Sequence, residues 1–334
     1  MSNILIYDVA AESGGALSVL NDYYQKALLD VDNFYFFVVS VANIENAGNV
    51  RILKYPWIKR SWFHRLYMDN CIVKDIVKKY KIDEVLSLQN HAINGINIRQ
   101  SVYVHNAIPF CEHKFRLFRD PFLFFYQNII GFLTKKSLKK ASSIIVQTEW
   151  MKKAIVNNLR INPNIIKIAP VNSMFDYEPE RIKTDRVRFF YPATPFSFKN
   201  HKVILDACSL LNSEGRSNIE IIFTISGNEN KLSNRIRDFV NIKKLPVNLV
   251  GPLNSKKMKE FYKSSCLLFP SYVETVGLPL KEAQCFDAPI IVANLEYAKC
   301  SIGSYKNVEY FDYDNPNQLC QMIQRQISNR NHKQ

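Results

Sequence analysis

Two glutamates that flank a glycine form the most informative pattern in the chain, within FPSYVETVGLPLKEA (269–283). The apolar run that ends at Phe269 predicts a buried strand, and Pro279 is suited to the first turn of a following helix. Backbone amides at a helix start bind anions, and carboxylates accept hydrogen bonds from hydroxyls. The residues concerned are Glu274 and Glu282 for the carboxylates and Val276, Gly277 and Leu278 for the amides. A ligand with a phosphate and many hydroxyls, such as a nucleotide sugar, fits this stretch.

Short apolar runs alternate with amphipathic stretches in both halves of the chain, which predicts α/β domains with parallel sheets covered on both faces. Predicted strands of the first half cover 4–10, 34–41, 83–88, 101–106 and 142–148. Those of the second half cover 187–193, 219–226, 248–251, 266–271, 289–294 and 308–312. A loop-rich stretch with three prolines, 160–185, separates the halves. We therefore predict two doubly wound, Rossmann-like domains, 1–175 and 176–334, that face each other across a cleft.

The block around Glu274 also has the pattern PSxxEgfGlPxxEA, with matches at Pro270, Ser271, Glu274, Gly277, Leu278, Pro279, Glu282 and Ala283. In this it resembles the retaining glycosyltransferases of family 4, or group 1, which have the GT-B fold. Further blocks that resemble the family are FYPATPFSFKNHK (190–202), ISGN (225–228) and NLVGPLNSKKMKEFYKSSCLLFPS (248–271). The resemblance implies an acceptor-binding N-terminal domain and a nucleotide-sugar-binding C-terminal domain. Within the family, the chain looks like bacterial O-antigen, lipopolysaccharide or capsule enzymes.

The resemblance implies catalytic roles for three residues. Lys199 would bind the donor diphosphate, Glu274 would bind hydroxyls of the transferred sugar, and His105 would lie near the reacting centre. Family members retain the anomeric configuration, and no convincing nucleophile is present in the motifs. The acceptor is therefore expected to attack from the face that the diphosphate leaves, without a metal ion.

The same resemblance implies a larger set of donor-binding residues. Glu282 would bind the ribose hydroxyls, and Gly15, in the predicted turn Ser13-Gly14-Gly15, would let the backbone approach the phosphate. The other implied donor-binding residues are Asn200, Gly227, Pro252, Val276, Gly277 and Leu278. Two positions depart from the family pattern, since Thr194 replaces a common arginine and Asp287 replaces a common glycine. We expect a UDP-linked sugar as co-substrate and no cofactor.

Basic residues outnumber acidic ones, 44 to 30, which gives a formal net charge of +14 and favours an anionic partner. Two segments, 55–65 and 113–140, combine aromatic and basic side chains. They are typical either of docking to an acidic membrane surface or of core helices with solvated basic edges. A polyprenyl-diphosphate-linked glycan acceptor would also explain the charge. The residues predicted for acceptor or membrane contact are Arg116, Arg119, Lys135 and Lys136.

The seven cysteines are scattered and form no CxxC pair, which favours a reducing compartment and argues against disulfides or a zinc site. The first ten residues lack the basic start of a signal peptide. The longest apolar stretch, 122–133, is shorter than the ~20 residues of a membrane span. We expect a protein of the bacterial cytoplasm that associates peripherally with the inner face of the cytoplasmic membrane.

Other functions remain as alternatives. A nucleotide-sugar epimerase can share the GT-B fold, and a basic, aromatic surface also fits a nucleic-acid-binding protein, although no nucleic-acid module is recognisable and we expect no such partner. Two DxD triplets, Asp30–Asp32 and Asp312–Asp314, could bind a metal and a diphosphate as in GT-A enzymes. A nicotinamide dehydrogenase is disfavoured because no GxGxxG follows a predicted strand.

Overall fold

The computed structural model describes residues 1–12 and 14–331. The chain divides into two compact units, Met1–Pro170 and Val171–Gln334, where the sequence predicts domains 1–175 and 176–334. Ser13 of the predicted glycine turn lies outside the described residues. None of the helices in the described ranges combines the length and apolar composition of a membrane-spanning segment.

The first unit contains a parallel sheet with helices on both faces. Its strands are β1 (Asn3–Asp8), β2 (Phe34–Val39), β3 (Val50–Lys54), β4 (Glu84–Ser87), β5 (Arg99–Val104), β6 (Ser143–Val146) and β7 (Ile166–Ile168). Its α-helices are α1 (Gly14–Leu29), α2 (Trp62–Tyr67), α3 (Val73–Lys79), α4 (Pro121–Phe125), α5 (Gly131–Leu138) and α6 (Glu149–Leu159). The strand order β3-β2-β1-β4-β5-β6-β7 reverses direction between β1 and β4, which is the topological switch point of a doubly wound sheet.

Apolar residues fill both faces of this sheet because its strands are buried on both sides. In β1, Leu5 and Tyr7 belong to one core cluster with Met68 and Val73, whereas Ile6 belongs to the other cluster with Leu20 of α1. Successive side chains of the strand therefore pack against two separate layers of helices, one on each face of the sheet. The prediction of a sheet covered on both faces is confirmed for this unit.

Two helices of the first unit contain π-helical turns that the sequence did not reveal. The turn Met68–Ile72 joins α2 to α3, and the turn Tyr126–Ile130 joins α4 to α5. In the segment 113–140, the helical part begins only at Pro121. Proline at the first helical position fixes that start, because the ring favours the helical φ and lacks an amide hydrogen.

The second unit repeats the architecture with its own sheet. Its strands are β8 (Val187–Tyr191), β9 (Ile219–Phe223), β10 (Val247–Leu249), β11 (Cys266–Phe269), β12 (Ile290–Ala293) and β13 (Val308–Phe311). Its α-helices are α7 (His201–Leu210), α8 (Ser213–Ser217), α9 (Lys231–Lys243), α10 (Ser255–Ser264), α11 (Leu278–Cys285), α12 (Glu296–Ile302) and α13 (Pro316–Asn331). The order β10-β9-β8-β11-β12-β13 puts the switch point between β8 and β11. The fold class, two doubly wound Rossmann-like units, is confirmed.

Candidate active site

A lysine and a glutamate from two separate loops meet at the switch point of the second sheet. Lys199 Nζ donates a hydrogen bond to Glu274 Oε1 at 2.5 Å, across 75 positions of sequence. The loop with Lys199 follows β8 and the loop with Glu274 follows β11, and these strands are neighbours. Both side chains are largely shielded, with 18% and 13% of their surfaces exposed. Two residues that the sequence predicts for one site therefore lie in contact.

Backbone and amide hydrogen bonds hold the two loops together. The amide of Tyr272 donates to the carbonyl of Phe198 at 2.9 Å, and Ser271 Oγ donates to the same carbonyl at 3.2 Å. Asn200 Nδ2 donates to the carbonyls of Pro270 and Tyr313, at 3.3 Å and 2.7 Å. The sequence predicts Asn200 as donor-binding. In the structure, its side-chain NH₂ donates to these two carbonyls and so fixes the loop that carries Lys199.

Three buried hydroxyls support these loops from the interior of the unit. Tyr191 of β8 donates to the carbonyl of Lys199. From α12, Tyr297 donates to the carbonyl of Ser271 at 2.5 Å and Ser301 donates to the carbonyl of Val276. Burial raises the pKa of both tyrosines well above its ordinary value, so they remain neutral donors. The sequence did not predict α12 or this support.

The loop after Glu274 turns sharply into α11, which begins at Leu278 as the sequence predicts. Gly277 adopts φ +69°, and a Cβ there would lie 3.1 Å from Phe269 and 3.2 Å from Leu280. Glycine adopts this conformation at low cost, and a larger residue would also require these two side chains to shift by a few tenths of an ångström. The turn therefore fixes the direction of the amides at residues 276–278 at the helix start.

Glu282 differs from Glu274 in its surroundings. It lies on α11 with 7% of its surface exposed, and its Oε2 accepts a hydrogen bond from Tyr262 at 2.6 Å. Burial raises the pKa of the Glu282 carboxyl group, although the Tyr262 hydrogen bond opposes the shift. The two predicted carboxylates therefore belong to the same loop–helix segment, one beside a cation and the other beside a neutral phenol.

The loop after β9 contains an anion that the sequence analysis missed. The amides of Gly227 and Asn228 donate to Glu229 Oε2 at 3.0 Å and 3.1 Å, and the amide of Ser226 donates to Glu229 Oε1. Gly227 has φ +82°, which permits this nest of amides. The chain's own carboxylate thus occupies the amides beside Gly227. Pro252, also predicted as donor-binding, is exposed after β10.

In the first unit, His105 follows β5 and its imidazole is held neutral. Its backbone amide donates to Asn90 Oδ1 at 2.7 Å, and burial lowers the pKa of the ring. Gly15 lies in the first turn of α1, where a Cβ would meet no atom within 4 Å. Packing among the described residues therefore does not require glycine at this position.

The predicted acceptor and membrane cations have different environments. Arg116, Arg119 and Lys136 are exposed, whereas Lys135 Nζ donates to Asn158 Oδ1 at 2.9 Å and lies 5.6 Å from the Phe110 ring centroid. Large apolar residues of the same segment are exposed as well, namely Leu117, Phe118, Phe122, Phe125, Ile129 and Phe132. The alternative of an ordinary core helix is wrong for this face of the segment.

The two DxD triplets have structural partners. The Asp30 carboxylate accepts hydrogen bonds from Tyr35 at 2.5 Å and Asn33 at 3.0 Å, and the amide of Asp312 donates to Gln318 at 2.8 Å. Within residues 1–12 and 14–331, no cluster of three or more His, Cys, Asp or Glu side chains could hold a metal ion.

The chain thus has two doubly wound units, and the second carries a lysine–glutamate pair at its switch point. The family model of the glycosyl transferases group 1 matches residues 175–334, which lie within the second unit. Residues 175–334 therefore form a group 1 glycosyltransferase domain, as the resemblance of the motifs there predicts.

Relatives and solved structures agree with this class. The chain is 24% identical over 208 residues to the processive diacylglycerol alpha-glucosyltransferase of Acholeplasma laidlawii, a match that covers 58% of this chain and only 59% of that relative. WaaG, a glycosyltransferase involved in lipopolysaccharide biosynthesis, has a TM-score of 0.70 at 12% identity, covering 97% of this chain and 90% of WaaG. HepE of Anabaena in complex with UDP-glucose has a TM-score of 0.66 at 12% identity, covering 99% and 91%. At these identities the structures share the fold with this chain.

Proposed function

We propose that the chain is a retaining glycosyltransferase that moves a sugar from a UDP-linked donor to a lipid-linked glycan during synthesis of a bacterial surface polysaccharide. The contact between Lys199 and Glu274 carries the proposal, because it puts a cation and a carboxylate beside the start of α11. A diphosphate needs the cation and the amides, and a sugar needs the carboxylate. HepE, whose structure contains UDP-glucose, supports the choice of nucleotide.

The lysine–glutamate pair exchanges partners when the donor binds. Lys199 turns from Glu274 to the diphosphate, and the freed Glu274 carboxylate accepts hydrogen bonds from sugar hydroxyls. Thr194 replaces the usual arginine, and the nearby Lys202 pairs with Asp206. Charge neutralisation of the leaving diphosphate therefore rests mainly on Lys199 and the helix amides.

Transfer then requires one bond to break and one to form on the same face of the sugar. The bond from the anomeric carbon to the diphosphate oxygen breaks, and its electron pair leaves on the diphosphate. The acceptor oxygen bonds to the anomeric carbon, and its proton passes to the departing phosphate oxygen. Neutral His105 orients a sugar hydroxyl without adding positive charge beside the oxocarbenium-like centre.

Gly15 provides a test of close backbone approach to the ligand. We expect Gly15→Ala to keep or raise the free energy of unfolding, because alanine is favoured over glycine in helices by ~0.5–1 kcal/mol. Turnover should nevertheless fall, since the new methyl group occupies space intended for the ligand. Gly277→Ala is the contrast, with an expected cost of ~1–2 kcal/mol from its left-handed φ. Denaturant unfolding and turnover assays on both variants check this, and wild-type turnover in Gly15→Ala would remove Gly15 from the site.

The exposed aromatic face of 117–132 supports peripheral attachment to the cytoplasmic membrane surface. Phe118 is fully exposed and Phe122 is 74% exposed, with Arg116 and Arg119 beside them. Aromatic side chains enter the lipid interface while the cations contact acidic headgroups. The relative from Acholeplasma laidlawii is named for a lipid acceptor, diacylglycerol.

Vesicle flotation tests this attachment. We expect binding to phosphatidylcholine vesicles that contain phosphatidylglycerol and little binding to pure phosphatidylcholine. Phe118→Ser with Phe122→Ser should lower the partition coefficient about a hundredfold or more, because each buried aromatic contributes ~1.5–3 kcal/mol. The control is Ile242→Ser, which removes an equally exposed apolar side chain from the second unit. Equal flotation of both variants would contradict the assigned face.

The proposed activity itself is tested by turnover. The purified chain is incubated with a panel of UDP-sugars and a prenyl-diphosphate-linked sugar, and the product is analysed by mass spectrometry and by NMR of the new anomeric proton. We expect one UDP-sugar to be consumed with its anomeric configuration kept. Tight, salt-sensitive RNA binding without any nucleotide-sugar turnover would contradict the proposal.

A further inference from the structure

A cavity of about 790 Å³ opens at the carboxyl edge of the first sheet. Asp8, Gln89 and His105 line it, at the end of β1 and within two residues after the ends of β4 and β5, respectively. These three strands are neighbours and span the switch point of the sheet, where doubly wound folds bind ligands. The volume lies within the ~300–1,000 Å³ typical of small-molecule sites.

Both π-helical turns of the first unit contribute to this cavity. Asp69 comes from the turn Met68–Ile72 and Tyr126 from the turn Tyr126–Ile130. A π-helical turn adds a residue to one turn of a helix and often occurs at functional sites. Both π-helical turns line the same cavity. This is a second sign of a functional site, separate from the position of the cavity at the strand ends.

An ionised carboxylate forms part of the cavity wall. Asp69 accepts hydrogen bonds from the Tyr7 hydroxyl and from Arg65 Nε, the latter at 3.1 Å, and lies 3.7 Å from His91 Nε2. Burial alone would raise the pKa of Asp69, but His91, Arg65 and Tyr7 together outweigh it and lower the pKa. The carboxylate is therefore held in place as an acceptor beside His91.

Gln89 is the feature that points most directly to a ligand. It is 6% exposed, yet neither its Nε2 nor its Oε1 has a hydrogen-bond partner among the described residues. Gln100 and Gln127, which are also buried, use both ends of their amides, on the backbone of Ile93 and on His113 and Phe115 respectively. Buried polar atoms are normally paired. An amide that can both donate and accept matches sugar hydroxyls, which do the same.

Cations stand at the same cavity. Lys136 and Lys140 line it from the end of α5. Within the described part of the chain neither forms an ion pair, although Lys140 Nζ donates to Asn94 Oδ1 at 3.4 Å. Two cations without carboxylate partners favour an anionic group on the ligand, and phosphate is the anion that lysine commonly binds.

We propose that this cavity binds the acceptor as a sugar attached to a phosphate, with Gln89, Asp69 and His91 on the sugar hydroxyls and Lys136 and Lys140 on the phosphate. The inference rests on the proposed glycosyl transfer and specifies its acceptor class, a glycosylated lipid phosphate rather than a phosphate-free lipid. Gln89 is the specificity-determining residue, because it distinguishes a sugar-bearing lipid phosphate from a bare one.

Calorimetric titrations test the assignment with three probes. The probes are a short prenyl diphosphate that carries one sugar, the same prenyl diphosphate without the sugar, and diacylglycerol in phosphatidylcholine vesicles. Gln89→Leu removes the amide at similar volume, and Lys136→Gln with Lys140→Gln removes the cations. Lys139→Gln is the matched control, since Lys139 is exposed on the same segment and does not line the cavity. UDP is titrated into every variant as an independent check of the second unit and of folding.

Gln89→Leu should weaken binding of the sugar-bearing probe about tenfold and leave the bare prenyl diphosphate unchanged. It should also raise the melting temperature of the free protein, because an unpaired buried amide is removed, whereas loss of a structural glutamine would lower it. The lysine double variant should weaken both diphosphates, and Lys139→Gln neither. Unchanged binding of the sugar-bearing probe by Gln89→Leu, or equal wild-type affinity for diacylglycerol, would overturn the proposal. Absence of UDP-sugar turnover with these binding results intact would instead contradict the proposed function.

Discussion

Lys199→Ala is expected to lower kcat by about 10²–10³-fold, the usual loss when one preorganised donor to a developing negative charge is removed. Lys199 contacts Glu274, which precedes the start of α11 by four residues, and Thr194 stands where the family pattern commonly has an arginine. The variant also leaves Glu274 without its partner, so the free energy of unfolding should fall by ~1–3 kcal/mol. A stopped assay at saturating donor, together with denaturant unfolding, measures both effects.

Lys202→Ala is the matched control for this prediction. Lys202 lies three positions along the chain and pairs with Asp206, but its side chain is 72% exposed. Exposed pairs contribute ~0–1 kcal/mol, so the control should keep nearly full kcat and stability. A Lys199→Ala enzyme that matches the Lys202→Ala enzyme in kcat would show that the diphosphate is stabilised elsewhere.

Glu274→Ala should produce a different pattern, because in the proposed mechanism the carboxylate binds the sugar and not the diphosphate. Turnover is expected to fall about a hundredfold, in line with loss of a charged hydrogen bond that strengthens in the transition state. UDP should bind as tightly as to the wild type or more tightly, since Lys199 no longer has to leave Glu274. The UDP-sugar should lose the extra affinity that its sugar provides.

Calorimetric titration of UDP and of the UDP-sugar into Glu274→Ala separates these contributions. Glu296→Ala serves as the control, because Glu296 pairs with Lys299 on the exposed side of α12 and its side chain is 64% exposed. Equal weakening of UDP and of the UDP-sugar in Glu274→Ala would mean that Glu274 acts only by shaping the loop.

Local sequence patterns were sufficient to predict the positions of most strands in the second unit and the start of α11. Apolar runs of four or more residues, bounded by glycine, proline or asparagine, located its strands, and Pro279 located the start of α11. The same context predicted that Lys199 and Glu274 belong to one site. The two side chains lie in contact because adjacent parallel strands bring their carboxyl ends together.

Features that depend on tertiary contacts were not predictable in this way. Helix α12, EYAKCSI, has no clear apolar period, and the role of Tyr297 and Ser301 is visible only once their carbonyl partners are located. The edge strands β3 and β7 are short and partly exposed, so they lack the apolar run of a central strand. The nest around Glu229 depends on backbone conformation at residues 226–228, which composition does not specify.

In the first unit, the sequence predicted a role for His105 but not the cavity that this residue lines. Gln89 and His91 lie in the loop after β4, whereas Asp69 lies in a π-helical turn. Residue spacing does not reveal such a turn, so the sequence did not indicate that these side chains meet. Lys136 was predicted as a surface cation, and its position at the cavity adds a second proposed role.

The most direct measurement is a crystal structure of the chain with UDP bound. The account predicts the β-phosphate within hydrogen-bond distance, ~2.7–3.1 Å, of Lys199 Nζ and of an amide at residues 276–278, with the contact from Lys199 to Glu274 broken or shared. A diphosphate bound away from the start of α11, with Lys199 still paired only to Glu274, would contradict it.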